Sequence, residues 1–170
     1  MKSIAFTTRT RRALFFCTLS ILLIAAPGKA ADEKASRGAD EIIAFADSLF
    51  HSSSLYRATM EYQRFLYFYP THPDIPRARF NLATAAKRAG DHPFALECYT
   101  SLAKEYPGTS TAIKASFEEA EVLYLMGNYP AARNHYADFL DHYPDHPLAE
   151  EATRALVNME QFGASPSDKN

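Results

Sequence analysis

Tyr69-Pro70, Tyr106-Pro107 and Tyr143-Pro144 recur at an interval of 37 residues. The match extends well beyond the dipeptide. Ala46, Ala58 and Pro70 are spaced 12 and 12 apart, and so are Ala83, Ala95 and Pro107, and Ala120, Ala132 and Pro144. Tyr62, Tyr99 and Tyr136 follow the second Ala by four residues, and Phe65, Leu102 and Phe139 come three further on. A pattern held at this many positions constrains the fold more than any single motif. Each copy must be one supersecondary unit that buries its apolar side only by stacking on its neighbours.

Each copy reads as two helices. In the middle copy "IPRARFNLATAAKRAG" places Ala78, Leu82, Ala83 and Ala86 at helical spacing and stops at Gly90. Pro93 then falls where a first helical turn tolerates proline, because the missing N–H had no partner there. "PFALECYTSLAKEY" follows with Ala95, Tyr99, Leu102 and Tyr106 at i, i+4, i+7 and i+11, and Pro107 ends it. The third copy repeats the punctuation with Gly127, Pro130 and Pro144. Small side chains let antiparallel helices approach, so Ala83 and Ala95 are expected at the contact, with the Tyr and Phe/Leu rows filling the space to the next pair. The register predicts an all-α fold with helices at 39–52, 55–69, 76–89, 93–106, 111–126, 130–143 and 147–162. The last, "PLAEEATRALVNMEQF", has Ala152 and Val157 at matching positions but polar Glu151, Arg154 and Gln161, which suits a solubilising cap.

The first thirty residues follow a different logic. Lys2, Arg9, Arg11 and Arg12 precede the apolar run "ALFFCTLSILLIAA", and Gly28 and Ala30 supply small residues after it. These are the three parts of a secretory signal peptide, expected over 1–30 with cleavage after Ala30. The run is shorter than the roughly 20 residues of a membrane span. Cys17 lies early in it, after Phe15 and Phe16, which does not suit a lipidation site. A linker over 31–38, a repeat domain over 39–163 and a disordered tail over 164–170 complete the expected organisation. The chain beyond Ala30 keeps 13 Lys and Arg against 20 acids, a formal charge of −7, which argues against nucleic acid as a partner. It holds one cysteine, Cys98, so packing and not an internal disulfide must hold the domain.

These residues resemble the tetratricopeptide repeat family: a small residue in the first helix, Ala in the second, an aromatic four residues on, and Pro at the turn. The period of 37 residues exceeds the family's usual length of about 34. "FLYFYPTHPDIPRA" and "FLDHYPDHPLAEEA" are similar to the BamD family of outer-membrane assembly lipoproteins, and "EYPGTSTAIKA" to the C-terminal domain of the CpoB family of Tol–Pal accessory proteins. The resemblance implies a right-handed superhelix of antiparallel helix pairs, about three repeats plus a C-terminal capping helix. It also implies a periplasmic, non-catalytic adaptor whose concave groove binds a segment of another cell-envelope protein. Alternatives are an accessory protein of cell-wall or polysaccharide-export machinery, or a self-associating structural protein.

No catalytic constellation, phosphate loop or cofactor motif is legible, and no metal site is expected. His142 and His146 are four apart, but Pro144 between them keeps them off one helical face. His72 and His146 occupy matching turns and are expected to shape them. Cys98 aligns with Glu61 and His135 in the other copies, so partial exposure is expected. Carrying the family's groove over by register gives Ile43, Asp47 and Phe50 in the first repeat. The second supplies Arg77, Phe80, Asn81, Thr84, Lys87 and Arg88, and the third Lys114, Phe117, Glu118, Glu121 and Tyr124. Phe80 stands where the family's carboxylate clamp needs Lys, so that clamp is not expected. The groove reads as aromatic anchors between a basic patch (Arg77, Lys87, Arg88) and an acidic one (Glu118, Glu121).

Overall fold

The computed structural model describes residues 27–163. Most of the expected signal peptide, residues 1–26, and the expected tail, 164–170, lie outside the described residues. Among those described, the chain forms helices α1 (Pro27–His51), α2 (Leu55–Phe68), α3 (Ile75–Ala89), α4 (His92–Glu105), α5 (Ser110–Leu125), α6 (Tyr129–His142) and α7 (Ala149–Gly163). The repeat domain, from residue 35 onward, stacks them in chain order, α2 on α3 through α6 on α7, with α5 also reaching α3.

The repeated alanines sit in the core. Ala46, Ala58, Ala83, Ala95, Ala120 and Ala132 are all fully buried. Tyr62, Tyr99, Phe65 and Leu102 are likewise at 0 % exposure, and Tyr136 and Phe139 stay below 4 %. In the middle of the domain Ala83, Ala86, Ala95, Tyr99, Leu102, Ala115 and Val122 form one cluster drawn from α3, α4 and α5. No helix pair therefore owns a complete core, which is what makes the unit repeat.

The Tyr-Pro stop works identically three times. Tyr69, Tyr106 and Tyr143 cap α2, α4 and α6 with φ of −129°, −126° and −135° and ψ of 57°, 51° and 53°. The following proline excludes helical backbone at these residues and so ends each helix. The next turn is also built alike. His72 Nδ1 accepts from the Asp74 N–H at 3.2 Å and His146 Nδ1 from the Leu148 N–H at 3.2 Å, while their rings lie edge-on to Phe65 and Phe139. Both histidines shape turns, as the register suggested. Asp91 and Asn128 cap α4 and α6 by accepting from the Phe94 and Ala131 N–H groups.

Two boundaries differ from expectation by more than one residue. Helix α1 begins at Pro27, ahead of 39, and takes in the segment 31–38 read as a linker. Gly38 lies inside the helix, where a Cβ would come 2.6 Å from the Tyr69 hydroxyl. Helix α7 starts at Ala149 and not 147, because the His146–Leu148 turn uses those residues.

The turn between the two helices of a repeat needs a left-handed residue. Gly90 and Gly127 supply it with φ of 88° and 77°, but the same position in the first repeat is Ser53 with φ 59°. An L-residue pays about 1 kcal/mol there. Ser53→Gly is accordingly expected to stabilise the domain by roughly 0.5 kcal/mol, part of the gain being offset by the freer unfolded chain. Urea denaturation of the two chains measures it.

Candidate partner-binding face

Helices α1, α3, α5 and α7 are the first helices of successive repeats and place their equivalent residues along one face. Asp47, Thr84 and Glu121 share one register position on it, and the buried tyrosines of the second helices point their hydroxyls toward that row. Tyr62 donates to Asp47 Oδ1 at 2.5 Å. Thr84 and the Tyr99 hydroxyl are 2.8 Å apart; the Thr84 hydroxyl gives its one hydrogen to the Phe80 carbonyl, which leaves Tyr99 as the donor. Burial and then the carboxylates of Glu121, Glu118 and Glu151 push the Tyr136 phenol above its ordinary range.

Cross-helix ion pairs tie the face together. Arg77 on α3 donates to Asp47 on α1 at 2.8 Å and also pairs with Asp74 at 3.4 Å, while Asn81 donates to the other Asp47 oxygen at 3.2 Å. Burial pushes the Asp47 carboxyl up, but the hydrogen bonds from Tyr62, Arg77 and Asn81 outweigh it and hold it below its ordinary value. One step along, Lys87 on α3 donates to both Glu118 and Glu121 on α5. Burial would depress the Lys87 ammonium; these two carboxylates raise it instead. Burial raises Glu118, against the pull of Lys87.

This pairing corrects the expected separation into a basic and an acidic patch. Arg77 and Lys87 are neutralised by Asp47, Asp74, Glu118 and Glu121 on the same face. Arg88 is exposed but engaged, its guanidinium 4.9 Å from the Phe50 ring centre and bonded to the Ser53 hydroxyl at 3.4 Å. Two proposed aromatic or apolar contacts are also corrected. Ile43 and Phe117 are each 4 % exposed and belong to the core, Phe117 being packed edge-on against Tyr136 and Phe139. Phe80 is half-buried beside Tyr99. Lys114 stands exposed near the start of α5.

Tyr124 is 46 % exposed and borders a cleft on this face. Glu121, Tyr124, Leu125, Tyr136, Ala155 and Asn158 line about 250 Å³ between α5 and α7. Leu125, Tyr136, Ala155 and Asn158 were not singled out from the sequence. The signal existed in the register: Ala155 and Asn158 occupy the α7 positions that hold Glu118 and Glu121 in α5, so the last repeat lacks the carboxylates and leaves a space. Glu119 was missed as well. It is 7 % exposed and pairs with His135 at 3.2 Å, joining α5 to α6. Cys98 is half-buried and free, and burial pushes its thiol up to about 11, so it is a packing residue and not a thiolate nucleophile.

Lys87→Met tests how far the ion pairs set this face. It leaves Glu118 and Glu121 together without their cation and is expected to cost about 1–2 kcal/mol at pH 7, less than a fully buried pair because water reaches the site. Glu118, held above its ordinary value in the folded chain, takes up a proton on folding as the pH falls. The penalty should therefore shrink toward pH 5. Urea denaturation at both pH values decides it, and an equal loss at both would show that the carboxylates are not coupled.

The tetratricopeptide repeat family model matches residues 77–109 and 114–146. No curated protein matches the chain. Among solved structures it is similar to PcrH in complex with the chaperone binding region of PopB, with TM-score 0.58, 16 % identity, and coverage of 72 % of this chain and 94 % of that one. It is also similar to SycD, a type III secretion translocator chaperone of Yersinia enterocolitica, with TM-score 0.60, 17 % identity, and coverage of 78 % and 95 %. A third is the C-terminal TPR-containing domain of a Plasmodium falciparum FK506-binding protein, with TM-score 0.59, 17 % identity, and coverage of 78 % and 94 %. At these identities the likeness speaks to the fold. The family match identifies residues 77–109 and 114–146 as tetratricopeptide repeats, and the register with its buried alanine and tyrosine rows extends the same architecture to the first repeat.

Proposed function

We propose that this chain is a non-catalytic adaptor whose first-helix face holds a segment of another protein. The observation that carries this reading is the cleft at Tyr124, Leu125 and Tyr136, open on a face where Arg77 and Lys87 are already paired. A side chain entering it meets an apolar wall with a tyrosine hydroxyl and a carboxylate at hand, the mixture that anchors interface residues. PcrH, an array of similar architecture, was solved with a segment of PopB, which supports the same use here. The signal-peptide reading and the similarity to the BamD and CpoB families favour a partner in the bacterial cell envelope, in outer-membrane protein assembly or Tol–Pal-linked maintenance. Among the described residues no helix is long and apolar enough to cross a membrane.

A paired variant tests the site. Tyr124→Arg with Leu125→Asp changes two exposed side chains and should leave folding intact. Affinity purification of the full chain from its own cells is expected to recover a defined envelope protein with the wild type, and at least about tenfold less with the variant, the change produced by roughly 1.4 kcal/mol of lost binding. Equal recovery from both would remove this face from the mechanism.

A further inference from the structure

The repeat supplies its own control for what the opposite face, made by α2, α4 and α6, ordinarily carries. At four equivalent positions the second repeat places Pro93, Glu97, Lys104 and Glu105, and the third Pro130, Asn134, Asp141 and His142. The first repeat places Tyr56, Met60, Tyr67 and Phe68 there. They are 77, 52, 79 and 60 % exposed. Tyr56, Met60, Gln63 and Tyr67 fall at i, i+4, i+7 and i+11 of α2, so they form one stripe along the helix. Nothing in the described chain covers it. Folding gains nothing from four large apolar side chains left in water, whereas the other two repeats manage with polar ones.

The stripe borders a furrow. Between α2 and α4, with α3 as its floor, lie two clefts of about 290 and 300 Å³ that share Phe94 as a wall. Leu66, Leu82 and Cys98 line the first; Tyr56 and Met60 rise beside the second. A ridge of side chains can enter such a furrow, which a flat lipid surface would leave unfilled. Asp91, Glu97 and the Arg79–Glu105 pair line the furrow itself, while the positive charge lies on α2 outside it. Arg57 has no partner among the described residues, and Arg64 has only the surface pair with Glu61 at 3.3 Å, an interaction of little worth.

We infer that the α2–α4 furrow of the first repeat is a second docking surface, and that its occupant is an amphipathic helix of another protein with apolar residues at i, i+4 and i+7 and an acidic flank facing Arg57 and Arg64. The inference is independent of the first-helix face. Its test uses the full chain in its own cells, with a photo-crosslinking residue at exposed Gln63 and the cross-linked peptide identified by mass spectrometry. A triple variant, Met60→Glu, Tyr67→Lys and Phe68→Glu, installs the second repeat's own residues and should fold normally. The expected result is a cross-link to a segment of that apolar and acidic pattern, at least about tenfold weaker in the triple variant and unchanged by Tyr124→Arg. A cross-link to a second copy of this chain, to lipid or to a segment without the pattern would overturn the inference. So would no cross-link, or one of equal yield in the triple variant.

Discussion

Tyr99→Ala is expected to lower the stability of the repeat domain by about 3–5 kcal/mol, the range for removing a large aromatic from a core. Tyr99 is fully buried and belongs to the cluster drawn from α3, α4 and α5, so one deletion opens a cavity at two helix interfaces at once. It also removes the donor that Thr84 receives on the first-helix face. Because the array is stabilised by its nearest-neighbour contacts, a lesion in the middle repeat uncouples both ends. Thermal unfolding followed by circular dichroism should show a fall in Tm of roughly 10–20 °C. Tyr99→Phe isolates the hydroxyl and should cost only about 1 kcal/mol.

Ala83→Leu should be nearly as damaging for the opposite reason. Ala83 is at 0 % exposure, in the same buried cluster as Ala95 on the facing helix. Three extra carbons have no space there, and forcing them in costs about 2–3 kcal/mol through displaced helices. The register makes a sharper statement than the magnitude. Val157 occupies the same position in α7 and is 44 % exposed, since no second helix follows it among the described residues. A larger side chain is accepted there because no partner helix faces it among the described residues. Val157→Leu is therefore expected to be neutral within about 0.5 kcal/mol, and the contrast between the two substitutions in the same denaturation experiment checks the assignment.

Much of the fold was legible because a repeat is an over-determined signal. The three Tyr-Pro stops, the buried Ala pairs and the tyrosine row all follow from spacing, and each helix boundary after α1 fell within two residues of its expected place. The start of α1 was missed because "ADEKASRG" carries no repeat register, although Gly38 admits the Tyr69 hydroxyl beside the helix. The candidate site was less legible. Register identifies which positions share a face but not how deeply each sits, so Ile43 and Phe117 were read as contacts although they fill the core. Nor does it reveal that Arg77 and Lys87 reach across to carboxylates on neighbouring helices, because those partners lie some thirty residues away in sequence. The α5–α7 cleft arises from what α7 lacks, and a pattern search built on matches overlooks a mismatch.

In the proposed function the first-helix face takes a segment of another protein. Site-specific photo-crosslinking in the native cell tests it most directly, with one probe at Tyr124 beside the cleft and another at Asp141, an exposed residue of α6 on the opposite side of the repeat. A discrete envelope-protein segment is expected from Tyr124 and none from Asp141. Capture from Asp141 alone, or nothing from Tyr124 beyond background, would contradict it.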